Sequence, residues 1–142
     1  MPTSNAHARW EGTLKKGQGV MKVGSGAFEV NYNAAGRFEG ASGTNPEEII
    51  GAAHAGCFSM ALSLLLEKAG HPPRAIETEA EVTLEQVGDG FAITRIRLKT
   101  EAEVPGISTD AFQEQAQAAK GGCPVSKALA GTQIELEAAL KS

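Results

Sequence analysis

The sequence is short of sulfur and of imidazole, with two cysteines and three histidines in 142 residues. That scarcity narrows the chemistry at once. His7, His54 and His71 show no ligand spacing, and Cys57 and Cys123, 66 positions apart, rule out both a Cys-x-x-Cys redox motif and a zinc knuckle, so no metal centre is expected. No Gly-x-Ser-x-Gly elbow occurs, which removes the case for a serine hydrolase of that type. Gly17-Gln18-Gly19 and Gly24-Ser25-Gly26 lack the third glycine and the strand-to-helix setting of a nucleotide loop, and they read as turns. Basic residues are scattered and the formal net charge is -4, so a nucleic-acid partner is not expected. The longest strongly apolar run, 52–66, is interrupted by His54, Gly56, Ser59 and Ser63 and falls short of the roughly 20 residues of a membrane span. Met-Pro-Thr-Ser-Asn at the start lacks the basic and apolar regions of a secretory signal. The expectation is a cytoplasmic protein without a membrane partner.

Hydrophobic residues make up 42% and charged residues 21%, ordinary usage for a folded soluble chain. The length suits one domain, expected over 1–142. Three short stretches around residues 8–14, 19–24 and 27–30 alternate apolar and polar positions between glycine turns and predict antiparallel strands. Residues 36–44 are glycine-rich and aperiodic, a loop leading to a helix. Thr44 or Asn45 can cap that helix, Pro46 suits its first position, and Glu47 and Glu48 complement the positive end of the helix dipole. The helix should run from Pro46 to about Ala69, where Gly70-His71-Pro72-Pro73 stops it. Its apolar residues cover nearly the whole circumference, which predicts burial on most sides.

Alternation returns from Ile76 to Glu85 and from Phe91 to Thr100 around Gly88-Asp89-Gly90, predicting a long hairpin with one wet face. Ser108-Thr109-Asp110 opens a second helix reaching about Lys120. Cys123-Pro124 starts a short helical turn through Leu129, and 134–140 reads as a closing strand. The order indicates an α+β fold with antiparallel pairing.

Residue context leaves the cysteines open. Cys57 sits mid-helix among small residues and is equally well a core side chain or a site that lets a ligand approach closely. Cys123, at the mouth of a helix, has a setting that favours a thiolate. His54, three residues before Cys57, is more often a packed core or interface residue than a base.

The run from Thr44 to Leu62, Thr-Asn-Pro-Glu-Glu-Ile-Ile-Gly-Ala-Ala-His-Ala-Gly-Cys-Phe-Ser-Met-Ala-Leu, with Gly122-Cys123-Pro124-Val125-Ser126 downstream, resembles the OsmC/Ohr family, and within it the osmotically inducible protein C branch. The likeness extends through Arg37-Phe38-Glu39-Gly40, Gly90-Phe91-Ala92-Ile93-Thr94 and Val104-Pro105-Gly106-Ile107, nearly the whole chain. The resemblance implies antiparallel sheets around a long central buried helix, in an intertwined homodimer with two active sites at its interface. It implies a peroxidase that reduces organic hydroperoxides, and hydrogen peroxide less efficiently, without metal or cofactor. By motif position Cys57 is the peroxidatic cysteine, Cys123 the resolving one, and Arg37 and Glu47 the activating pair, with Arg9 as the alternative arginine. Attack would leave a sulfenic acid on Cys57, which Cys123 condenses to a disulfide for an external dithiol, for example of dihydrolipoyl type, to reset. Phe38, Phe58, Met60 and Phe91 are candidates for an apolar substrate entrance or for ordinary core. The alternative reading is a non-catalytic redox sensor, or a stress-linked small-molecule binding protein of the same fold.

Ten residues of helix between Glu47 and Cys57 span about 15 Å, too far for both to flank one arginine. The expected site is therefore composite, with Arg37 and Glu47 from one chain and Cys57 and Cys123 from the other.

Overall fold

The computed structural model describes residues 1–141. Its contacts gather into two compact units, Met1–Ile49 and a second beginning at Ile50.

In the first unit, strands β1 (Ala6–Glu11), β2 (Gln18–Val23) and β3 (Glu29–Tyr32) form an antiparallel sheet in the order β1-β2-β3. The register sets Trp10 and Tyr32 on either side of Gly19. The two rings close over that glycine, 5.4 Å apart at their centroids. A Cβ on Gly19 would come within 2.6 Å of the Tyr32 ring, so only glycine fits between them. The segment expected to be a loop instead contains a short helix, α1 (Ala34–Phe38). Its start is fixed by Asn33, whose Oδ1 accepts from the Gly36 N–H at 2.9 Å. The same α1 carries Arg37.

Helix α2 (Pro46–Lys68) begins where the sequence predicts. Asn45 rather than Thr44 caps it, Oδ1 accepting from the Glu48 N–H at 2.8 Å, while Thr44 donates its hydroxyl to the Glu48 carboxylate. The Asn45 amide also donates to Gly36 O at 3.2 Å and so ties α1 to the helix start. At the far end Gly70 takes φ +87°, and the His71 N–H bonds back to Leu66 O at 2.9 Å, closing the helix in a Schellman arrangement.

The second unit is built on strands β4 (Ala75–Val87), β5 (Gly90–Glu103) and β6 (Gln133–Lys141), in the order β4-β5-β6. The β4–β5 hairpin is antiparallel as expected, with a bulge opposite Thr83 and Leu84 that shifts the phase of Ile93 relative to Ile96. The β5–β6 pairing is parallel, which corrects the expectation of antiparallel pairing throughout. The physical reason is the connection: helices α3 (Thr109–Gly122) and α4 (Pro124–Ala128) form a crossover that returns the chain in the direction of β5.

One face of this sheet carries Ile76, Ala80 and Val82, then Ile96, Leu98 and Ala102, then Ile134, Leu136 and Leu140. Phe58, Leu62 and Leu66 of α2 and Phe112, Ala116 and Ala119 of α3 complete the core with them. A chain of hydroxyls runs through it, Ser59 to Thr78 at 2.8 Å and Thr78 to Thr100 at 2.9 Å, and Thr100 donates on to Glu77 O. These bonds fix the rotation of α2 against the sheet and with it the direction of Cys57.

Within one chain α2 does not bury most of its sides. Ala52, Ala53, Gly56, Met60 and Leu64 are exposed, although the helix shows almost no amphipathic bias. By length and composition it is the one helix among the described residues that could cross a membrane, a possibility the interrupted 52–66 run does not suggest. Its other stripe, Phe58, Leu62 and Leu66, is fully buried in the core.

Candidate active site

Helices α2, α3 and α4 bring the two cysteines into place. Cys57 faces inward from the third turn of α2. Cys123 lies at the joint between α3 and α4, with φ -60° and ψ 129°, because Pro124 cannot continue α3 and instead takes the first position of α4. The Cys123 N–H still bonds to Ala119 O at 3.0 Å. The two sulfurs, 66 residues apart in sequence, are 2.9 Å apart and form a thiol–thiol hydrogen bond. Both cysteines are free thiols, Cys57 half-buried and Cys123 fully buried. Closing that gap by about 0.9 Å would bring them to the bonding length of about 2.05 Å.

Their acidities diverge. Burial, and after it the hydrogen bond with Cys123, push the Cys57 thiol up, against a backbone N–H of Val125 that pulls it down. Burial also pushes Cys123 up. Hydrogen bonds from Cys57, from the backbone and hydroxyl of Ser126 and from the Val125 backbone outweigh it, and the net direction is down. The two thiols titrate as a pair, Cys57 displaced upward and Cys123 downward. With both protons present Cys123 donates to Cys57. Within residues 50–141 no lysine or arginine contributes to either shift.

Around the buried sulfur lies a second pair. His54, one turn before Cys57, is fully buried, and its Nε2 is 2.7 Å from the Ser126 hydroxyl. Burial lowers the His54 pKa and keeps the ring neutral. Its packed placement agrees with the core reading of the sequence. Ser126 is a site residue that sequence reasoning missed. Its only signal is its position three residues after Cys123, where one turn of helix carries a side chain back toward the preceding residue.

The first unit holds the other two predicted residues. Arg37 Nε donates to Glu47 Oε1 at 2.8 Å. Glu47 is buried while Arg37 stays partly exposed. The second carboxylate oxygen, Oε2, is buried without a partner among the described residues. The Arg37 guanidinium lies over the Phe38 ring, 5.4 Å from its centroid. Arg37 also lines a cavity of about 280 Å³ with Trp10, Leu14, Tyr32, Asn33, Ala34 and Phe38. Trp10 and Tyr32, which sequence reasoning did not single out, provide most of that cavity's aromatic wall. Phe58 is wholly buried in the core, where it packs rather than opens to solvent. Met60 and Phe91 are exposed, Met60 on the bare side of α2. Arg9, the alternative arginine, is paired with Glu11 on an exposed strand at 3.3 Å. No cluster of three metal-ligating side chains exists among the described residues.

The OsmC-like protein family model matches residues 39–137. The chain belongs to the OsmC family. It is 53% identical to peroxiredoxin OsmC of Escherichia coli over 136 residues, 95% of this chain and 94% of that protein. Among solved structures, the organic hydroperoxide resistance protein OhrB of Bacillus subtilis superposes with a TM-score of 0.70 at 28% identity, covering 98% of both chains. An organic hydroperoxide resistance protein of Elizabethkingia anophelis gives a TM-score of 0.73 at 25% identity, covering 100% of this chain and 97% of the other. The OsmC-like chain therefore shares its α+β fold, along almost its full length, with proteins of both branches.

Proposed function

We propose that this OsmC-family peroxidase reduces organic hydroperoxides, and hydrogen peroxide less efficiently, through a sulfenic acid on Cys57 and a Cys57–Cys123 disulfide. The observation that carries the reading is the 2.9 Å approach of the two sulfurs, at least as close as the roughly 3–3.5 Å of a near-attack arrangement. Attack of Cys57 on a peroxide oxygen breaks the O–O bond and releases an alkoxide, which takes up a proton and leaves as the alcohol. Cys123 then displaces hydroxide from the sulfenic acid, and water and the disulfide result. An external dithiol, for example of dihydrolipoyl type, returns both thiols.

The activating cation comes, in this reading, from a second subunit. Helix α2 is continuous from Pro46 to Lys68, so Glu47 and Cys57 stand about 15 Å apart along its axis. The Arg37–Glu47 pair of one chain would serve Cys57 of its partner. The exposed stripe of Ala52, Ala53, Gly56, Met60 and Leu64 supports a homodimer whose α2 helices approach closely. It also fits a core helix of a cytoplasmic protein better than a membrane span, which would leave the fully buried Phe58, Leu62 and Leu66 without their sheet.

The cavity beside Arg37 supports an organic substrate. Trp10→Ala should raise KM for cumene hydroperoxide about tenfold, the loss expected for one buried aromatic contact. Hydrogen peroxide, which has no organic group to bury, should be turned over as before. Equal loss with both substrates would remove the cavity from the substrate path.

Turnover separates this function from the redox-sensor reading. With dithiothreitol or a dihydrolipoyl donor, the protein should consume many equivalents of tert-butyl hydroperoxide. A sensor would react once and stop, and that result would overturn the proposal.

A further inference from the structure

The buried His54–Ser126 pair is not used by the chemistry above, although it abuts the resolving sulfur. The tautomer of His54 follows from its surroundings. Nδ1 is buried and has no partner among the described residues. A buried N–H without an acceptor is rarer than a bare lone pair, which places the ring hydrogen on Nε2. That hydrogen then points at the Ser126 oxygen, 2.7 Å away. Having accepted from His54, the hydroxyl keeps its own hydrogen to give. Among the described residues, His54 is a side-chain hydrogen-bond partner of this hydroxyl. Ser126 lies in the turn of α4 that begins at Cys123, three residues on, a spacing that brings its side chain back beside that residue, and its hydroxyl is among the groups that favour the Cys123 thiolate. His54, Ser126 and Cys123 are all buried, so water does not compete for these bonds.

We propose that His54 and Ser126 are positioning residues for the resolving step: His54 Nε2–H locks the Ser126 hydroxyl, whose O–H then donates to Cys123 Sγ and holds it as the thiolate that attacks the Cys57 sulfenic acid. The inference rests on the peroxidase reading above. In the step, the Cys123 sulfur supplies the electron pair for the S–S bond, the Cys57 S–O bond breaks, and hydroxide leaves with the proton that Cys123 gave up, as water. No proton has to pass through the imidazole. The assignment explains why a polar, neutral histidine stands in the core one turn from Cys57. A hydrocarbon there would leave the serine rotor free to turn away from the sulfur.

The test is a single turnover with one equivalent of cumene hydroperoxide, quenched at intervals with a 1,3-diketone that traps sulfenic acid and analysed by intact mass. Wild type, Ser126→Ala, Ser126→Thr and His54→Gln are compared. Disulfide formation should slow about tenfold in Ser126→Ala and His54→Gln, the loss typical of one hydrogen bond to an ionised sulfur. Trapped sulfenic acid, and sulfinic acid at excess peroxide, should accumulate instead. Sulfenic acid should form at Cys57 within about twofold of the wild-type rate, and Ser126→Thr, which keeps a hydroxyl, should resolve near the wild-type rate. Ser126→Ala removes a single oxygen, so the test stands even where His54→Gln does not fold. Resolution at the wild-type rate in Ser126→Ala overturns the inference and leaves the peroxidase reading in place. A parallel fall of both steps marks a merely structural pair and overturns it too. If wild type yields no trapped Cys57 sulfenic acid and no disulfide, the peroxidase reading fails and takes the inference with it.

Discussion

Cys57→Ser is expected to lower peroxide consumption by about a thousandfold or more, the loss usual when a covalent catalyst's nucleophile is removed. A serine hydroxyl is isosteric but is not ionised at neutral pH, and oxygen does not attack the O–O bond as a polarizable thiolate does. Cys123→Ser should behave differently. The first equivalent of peroxide should still react, since Cys57 and its activation remain, but no disulfide can form and Cys57 should pass to sulfinic acid as peroxide is added. The contrast assigns the roles. In the chain by itself Cys123 is the more acidic thiol, and Cys57 is held up by burial and by its neighbour. On that ground alone the order of action could run the other way. Stopped consumption in Cys57→Ser, with a burst preserved in Cys123→Ser, fixes Cys57 as the attacking sulfur. Full rate in Cys57→Ser would show the proposed mechanism to be wrong.

What could be read from residues alone was mostly local. The start of α2 was legible because cap, proline and acidic first turn fall within five consecutive residues, 44–48, and each is satisfied within that span. The β4–β5 hairpin was legible because its turn, Gly88 with φ +61°, lies between two alternating runs. Helix α1 was hidden because Gly36 breaks the helical pattern. The glycine is buried there, 3.4 Å from Asn33 Oδ1 and Thr44 O at the place a Cβ would occupy. The direction of β6 was hidden because alternation carries no polarity; only the crossover through α3 and α4 decides it. In the site, the meeting of Cys57 and Cys123 rested on family likeness, since neither spacing nor periodicity relates positions 66 apart. The contact between His54 and Ser126, 72 residues apart, had no local trace at all, for it depends on the packing of α2 against α4.

Arg37→Ala should lower kcat/KM for organic hydroperoxides by about two to three orders of magnitude, with the protein still folded. An unperturbed thiol near pKa 8.5 is only a few per cent ionised at neutral pH, and burial places Cys57 on the unfavourable side of that value. A guanidinium against the sulfur offsets this, although the gain in thiolate is partly cancelled by lower intrinsic nucleophilicity. The larger share is electrostatic: a planar fork holds the peroxide oxygen and stabilises the alkoxide as it leaves, a contribution of about a hundredfold or more in such sites. The variant's rate should therefore climb as pH rises through the range where Cys57 ionises, while the wild type, in which the proposed cation would already favour the thiolate, should change little across the same range. Arg37→Lys should recover only part of the loss, because an ammonium keeps the charge but not the fork that Glu47 aims through Nε. Mixing decides where the cation comes from. Subunits carrying Arg37→Ala alone and subunits carrying Cys57→Ser alone should each retain at most about a hundredth of the activity. If the site is shared between chains, a heterodimer of the two rebuilds one complete site, Cys57 from the first and Arg37 with Glu47 from the second, and about half the activity per dimer should return. If each chain completes its own site, every site in that heterodimer lacks one essential group, and proven exchange should restore nothing.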